Sequence, residues 1–283
     1  MILDIYISTI AFNSLNIEEA ILIAESNNFA LEFSSGLPYH PQMETIYNNC
    51  NLKRLPHNYF PAPKTPFVLN LASANDDIRE FSINHCIQGL QLAKKSNSPF
   101  YSAHFGFCID PNPNELGNQL IYQNNFDKNK NLNYFYHSII TILKEAEKLD
   151  ILFLIENNVI AKSNLKNGVN PLLGCSSQEI IDFFKTIKSN YLGLLLDTAH
   201  LKVSSTTLNL NIENELANIT TFIKAVHHSD NDGLVDNNSS LSNDYWFLKF
   251  INKFSQIPHI IEVMDLSVNE IIDQIKVLNK KWN

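Results

Sequence analysis

At 283 residues, 45% of them hydrophobic, the chain can bury one barrel-sized core or two smaller ones. A net charge of -8, with Arg54 and Arg79 as the only arginines and no basic cluster, argues against a surface built for polyanions. Cys50, Cys86, Cys108 and Cys175 lack the paired CxxC spacing of structural zinc, and no apolar run approaches the roughly 18 residues of a membrane helix. The opening MILDIYISTI has no basic flank or small-residue cleavage site and contains Asp4, so it reads as a strand and not a signal peptide. A soluble, cytoplasmic protein with reduced thiols is expected.

Short apolar runs alternate with helical patterns from end to end. ILDIYIS (2–8) predicts a first strand, and IEEAILIAESNN (17–28) an amphipathic helix. ALEF (30–33) is the second strand, followed by a short helix around Met43 to Cys50, and LPHNYF (55–60) is the third. Asp76 and Asp77 are cap candidates for a long helix through Ile78 to Lys95, ahead of FYSAH (100–104). A helix over Leu132 to Leu149 precedes ILFLIE (151–156), and one over Ser177 to Ile187 precedes LGLLLD (192–197). A helix over Leu208 to Ala217 leads to FIKAVHH (222–228), one over Tyr245 to Phe254 to HIIEV (259–263), and Val268 to Leu278 closes the chain.

About eight βα units of this size predict a single (β/α)8 TIM barrel domain over residues 1–283. A doubly wound open sheet shares the local pattern, but no GxGxxG follows the first strand and the chain has only eight glycines. The two longest connections, Phe105 to Asn131 and Asn157 to Cys175, both follow strand C-termini and are candidate lids or substrate walls.

Metal-capable side chains end nearly every apolar run: Glu32, His57, His104, Glu156, Asp197, His227 and Glu262. A buried strand has no reason of its own to stop on an ionisable residue, because burying one alone costs several kcal/mol. In a barrel these ends converge on one mouth. Glu156, Asp197, His227 and Glu262 then form a three-carboxylate, one-imidazole set suited to a divalent cation such as Mn or Zn. His200, one turn after Asp197, addresses the same place, while His228 should point away from it. Taken singly, His57 and His104 read more readily as hydrogen-bonded core or surface histidines than as ligands, and Glu32 as a substrate or supporting contact.

HNYF at His57, SAHFGF around His104, LIEN at Glu156, LLLDTAH from Asp197 to His200, VHHSD at His227 and IIEV at Glu262 together resemble the xylose isomerase-like barrels. That superfamily holds sugar isomerases and epimerases, sugar-acid dehydratases and endonuclease IV. The resemblance implies a metal on Glu156, Asp197, His227 and Glu262. The stretch from His57 through VLNLAS to DDIREFSI, and DTAH, look like endonuclease IV. Its three-metal site would map onto His57, His104, Glu156, Asp197, His200, His227, Asp236 and Glu262. That site's last histidine is replaced here by Asn238, and the arginine that the epimerase branch carries after the strand-seven histidine is absent.

The leading expectation is a metal-dependent sugar or sugar-phosphate isomerase or epimerase of carbohydrate metabolism. Glu156 and Glu262 would act as the acid/base pair around an enediolate. Glu32, His57, His104 and His200 would contact substrate. The alternative is a zinc-dependent apurinic-site endonuclease, and a barrel that binds without catalysis is the third possibility.

Overall fold

Parallel strands buried on both faces need apolar side chains throughout, and the runs identified above supply them. A computed structural model describes residues 3–12, 15–34, 36–123 and 125–280. The strands are β1 (Ile5–Ser8), β2 (Ala30–Phe33), β3 (Arg54–Pro56), β4 (Phe100–His104), β5 (Leu152–Glu156), β6 (Leu192–Asp197), β7 (Ile223–His228) and β8 (His259–Ile261). They form one parallel sheet in the order β3-β2-β1-β8-β7-β6-β5-β4. A lone parallel bridge between His57 and Ser102, with the Asn58 amide donating to the Ser102 carbonyl at 2.7 Å, joins β3 to β4 and closes the barrel. The helices are α1 (Ile17–Asn27), α2 (Met43–Asn49), α3 (Asp76–Lys95), α4 (Lys128–Leu149), α5 (Ser177–Thr186), α6 (Thr198–Leu208), α7 (Ile212–Ile219) and α8 (Val268–Asn279). The fold is the expected (β/α)8 TIM barrel. None of the described helices is long and apolar enough to cross a membrane.

Capping explains most differences at helix ends. Asn75, and not Asp76 or Asp77, caps α3: its side chain accepts from the Asp77 and Ile78 amides, leaving both aspartates in the first turn where the helix dipole favours them. Asp127 caps α4 a turn earlier than expected, because the polar KNKN start hides the helical period. One helix was expected between β6 and β7, and two are present. Asp197 itself caps α6, whose Ser- and Thr-rich sequence has weak helix propensity, and Asn209 ends it in the left-handed conformation at φ 58°. The helix expected over Tyr245 to Phe254 is a 3-10 segment over Leu248–Phe254. There Phe247 packs on both His228 and Phe254, so aromatic packing outweighs periodicity. The first strand starts at Ile5; its expected beginning at Ile2 lies outside the described residues.

The barrel interior is layered. Tyr6, Leu55, Phe100, Leu154, Leu195, Ala225 and Ile260 pack together as a buried plug, with Ala30 and Leu152 against it, so every strand contributes to it. A larger apolar cluster fills the space between strands and helices. Everything chemical lies above the plug.

Candidate metal centre

Side chains alternate faces along a strand, so the residue two beyond each plug residue points the same way, one layer nearer the C-terminal mouth. Those residues are Ser8, Glu32, His57, Ser102, Glu156, Asp197, His227 and Glu262. Polar groups therefore replace the next apolar layer on every strand. Most are fully buried: Glu32, Glu156 and His227 have no exposed surface, and His57 and Asp197 only 1%.

His227 is the hub. Its Nε2 is hydrogen-bonded to Glu32 Oε2 at 2.9 Å, which orients the ring and directs Nδ1 at the centre. Nδ1 lies 2.7 Å from Glu262 Oε2, 3.4 Å from Glu156 Oε1 and 3.9 Å from Asp197 Oδ2. Despite these distances it makes no aligned hydrogen bond, and neither do both Glu156 oxygens or Asp197 Oδ2. Glu156, Asp197, His227 and Glu262 offer ligand atoms all within 4.8 Å of one another. Buried donors and acceptors are nearly always paired, so a cluster of unpaired oxygens around an imidazole nitrogen fits a divalent cation.

Glu156 faces two ways. Oε1 is directed at His227 and at His200 Nδ1 (3.7 Å), and Oε2 at His57 Nε2 (3.4 Å) and His104 Nε2 (3.6 Å). His57, His104 and Glu156 thus form a second metal-capable group that shares Glu156 with the first, and Glu32, His57 and His227 a third. His57 is held by Ser102 (Nδ1 to Oγ, 2.9 Å). His200 Nδ1 donates to the Asn157 carbonyl at 2.8 Å, and its Nε2 lies 3.1 Å from Asp236 Oδ2.

The electrostatics describe a site short of positive charge. Burial pushes the Asp197 carboxyl up to about 8; His200 opposes this, while Asp236, Glu156 and Glu262 add repulsion. Burial holds His57 and His104 down at about 4, leaving both rings neutral with lone pairs to offer. Burial also disfavours charge on His227, but Glu32, Glu262 and Glu156 outweigh it and raise the ring well above its ordinary value. Without a metal, protons do the neutralising that a cation would otherwise do.

Above the centre lies a cavity of about 430 Å³. Its floor includes His104, His200 and Asp236, and its walls come from the two long connections, including Asn118, Asn158 and Asn164. Of the four residues expected to contact substrate, His104 and His200 line this cavity, whereas Glu32 and His57 are buried behind it. His228 points away as expected, to His259 (2.7 Å) and Tyr245 (3.1 Å). Two positioning residues escaped the sequence reading. Ser102 carries no charge to signal its role. Asn157 brackets Asp197 with both its amide groups (2.8 and 3.0 Å), and its only trace was its place directly after Glu156.

A family model for the xylose isomerase-like TIM barrel matches residues 42–258. The chain belongs to that family. A curated relative in sequence, the probable endonuclease 4 of Aquifex aeolicus, is 24% identical over 214 residues, covering 70% of this chain and 68% of its own. A D-tagatose 3-epimerase-like protein superposes with a TM-score of 0.72 at 16% identity, over 97% of this chain and 95% of the other. The D-psicose 3-epimerase of Clostridium cellulolyticum, solved with D-tagatose, gives 0.63 at 15%, over 97% and 89%. At these identities the structural likenesses establish the fold. Family membership and the buried donor set together describe a xylose isomerase-like barrel with a site that fits a divalent metal.

Proposed function

We propose that this single-domain barrel is a divalent-metal-dependent isomerase or epimerase of a neutral sugar. The observation that carries this reading is the placement of Glu156 and Glu262 on either side of His227 Nδ1, at 3.4 and 2.7 Å. Glu262 also lines a cavity of the mouth, and Glu156 lies fully buried beneath it. Glu156, Asp197, His227 and Glu262 would hold the ion, and the donor set suits Mn or Zn. When bound, the ion supplies positive charge against substrate oxygens as negative charge develops.

The chain's own residues do the rest. One of the paired glutamates takes the proton from the carbon beside the substrate carbonyl, and the other returns a proton on the opposite face of the resulting enediolate. His200, fixed by Asn157, and Asp236, 3.1 Å from its Nε2, together present a polar pair at the cavity for a substrate hydroxyl. The asparagines of the cavity wall match the alternating donors and acceptors of a polyol. Among the described residues neither Lys nor Arg lines this cavity, which supports an uncharged substrate over a phosphorylated one.

A second reading, a two-metal phosphodiesterase, is favoured by one observation: Glu156 is shared between two metal-capable groups. The curated sequence relative agrees with it. Against it stand the lack of cations around the cavity and Asn238 in place of a third imidazole set with His200 and Asp236. Incubating the Mn- or Zn-loaded protein with ketoses in D2O, and separately with an abasic-site duplex, separates the two. The isomerase reading expects deuterium in a ketose and an intact duplex. A nicked duplex with no exchange into any sugar would overturn it.

A further inference from the structure

A second cavity of about 500 Å³ opens on the other side of the metal centre, and the proposed reaction leaves it unused. Glu262 and Asn238 line this chamber, whereas His104, His200 and Asp236 line the first. Tyr59 and Leu116 line both and so form the partition between them. Tyr59 is pinned, since its hydroxyl accepts from the Leu69 amide at 2.8 Å and its ring packs edge-on to Phe67.

The second chamber is walled by prolines and aromatic rings, where the first sets asparagines among apolar side chains. Its walls include Leu37, Tyr39, Pro63, Phe67 and Met264, and Lys64 is the only cation among its described lining residues. Tyr39 and Met264 are each 47% exposed at its edge. They belong to a wider pattern: of the ten large apolar side chains exposed among the described residues, Tyr39, Ile121, Val169, Leu234, Val235 and Met264 sit on loops that follow strand C-termini. Exposed apolar groups gathered around a functional mouth mark a binding surface for apolar matter. Aromatic walls beside a polar reaction centre suit an apolar group attached to the substrate itself.

We infer that the second chamber is a subsite for an apolar, preferably aromatic, substituent on the sugar, with the reacting carbons held at Glu156 and Glu262 and the substituent beyond the Tyr59–Leu116 partition. This rests on the sugar reading above. The substrate is then a substituted sugar and not a free monosaccharide, and the chamber sets specificity without taking part in proton transfer.

The test compares D-tagatose with its 6-O-benzyl ether on the Mn-loaded full chain, reading binding by thermal shift and reaction by deuterium uptake. The ether is expected to half-saturate at about a tenfold lower concentration, the effect of burying one ring's worth of apolar area. Tyr39→Ala and Met264→Asp, both at exposed positions, should each remove most of that advantage while leaving the response to D-tagatose unchanged. Equal half-saturation by the two compounds, an advantage that survives both substitutions, or binding by neither would overturn the subsite. Deuterium uptake is a separate outcome: preferred binding of the ether without uptake from either compound would sink the proposed reaction and leave the subsite standing.

Discussion

His227 Nε2 lies 2.9 Å from a carboxylate oxygen of Glu32, a residue 195 positions away on a strand across the barrel. Neither atom is exposed. The bond determines which imidazole nitrogen remains for a metal, so the centre depends on a residue that never reaches the cavity. Replacing Glu32 by Gln keeps the shape and removes the charge. Metal affinity is expected to fall about 10- to 100-fold, the usual effect of losing a ligand's supporting partner. Competition with a chelating dye measures it; an unchanged affinity would show that Glu32 does not tune His227.

Glu156→Gln and Glu262→Gln should each lower solvent exchange into substrate by about 10²- to 10⁴-fold, the range for losing a positioned acid or base. The fold should persist, because neither change alters volume. Far-ultraviolet dichroism verifies folding and deuterium uptake reads activity. A fully active variant would contradict the assigned role of that glutamate.

Metal binding should tighten as pH rises towards 8. Burial and neighbouring carboxylates hold Asp197 protonated up to about 8 in the metal-free chain. A ligand must be deprotonated, so near pH 7 each ion bound displaces a proton from this group, and the His227 ring, also held protonated by its carboxylate neighbours, adds to the release. Calorimetry in two buffers of different ionisation enthalpy counts the protons. Zero release at pH 7 would mean that Asp197 is already ionised.

Stability has its own test, away from the centre. A Cβ at Gly89 on α3 would stand 2.3 Å from the Tyr101 ring, which is buried and tethered through its hydroxyl to the Asn58 carbonyl at 2.6 Å. Gly89→Ala should therefore cost about 1–3 kcal/mol despite its better helix propensity, lowering the melting temperature by several degrees. A variant as stable as the parent would show that α3 can shift away from β4.

The ends of the apolar runs were legible because a parallel strand buried on both faces leaves no cheap place for an ionisable side chain. Glu156, Asp197 and His227 stood out for that reason, and the structure gathers them with Glu262. His57 was less legible: it follows β3 and is tied to the sheet by its amide on the Phe33 carbonyl and its bridge to Ser102. Ser102 and Asn157 act through neutral groups that look like any loop or strand residue. Helix α6 was hidden because its start is set by the Asp197 cap and not by hydrophobic periodicity. The division of the mouth into two chambers depends on where the fold places Tyr59 and Leu116, which no linear pattern encodes.

We assign the unpaired oxygens and nitrogen around His227 to a divalent ion. Plasma emission spectrometry on protein reconstituted with Mn or Zn and then desalted tests this assignment most directly. At least one ion per chain should be retained, and lost in Asp197→Asn and His227→Ala, with a higher melting temperature in the loaded protein. A desalted chain that retains no ion, and melts at the same temperature with or without metal, would contradict it.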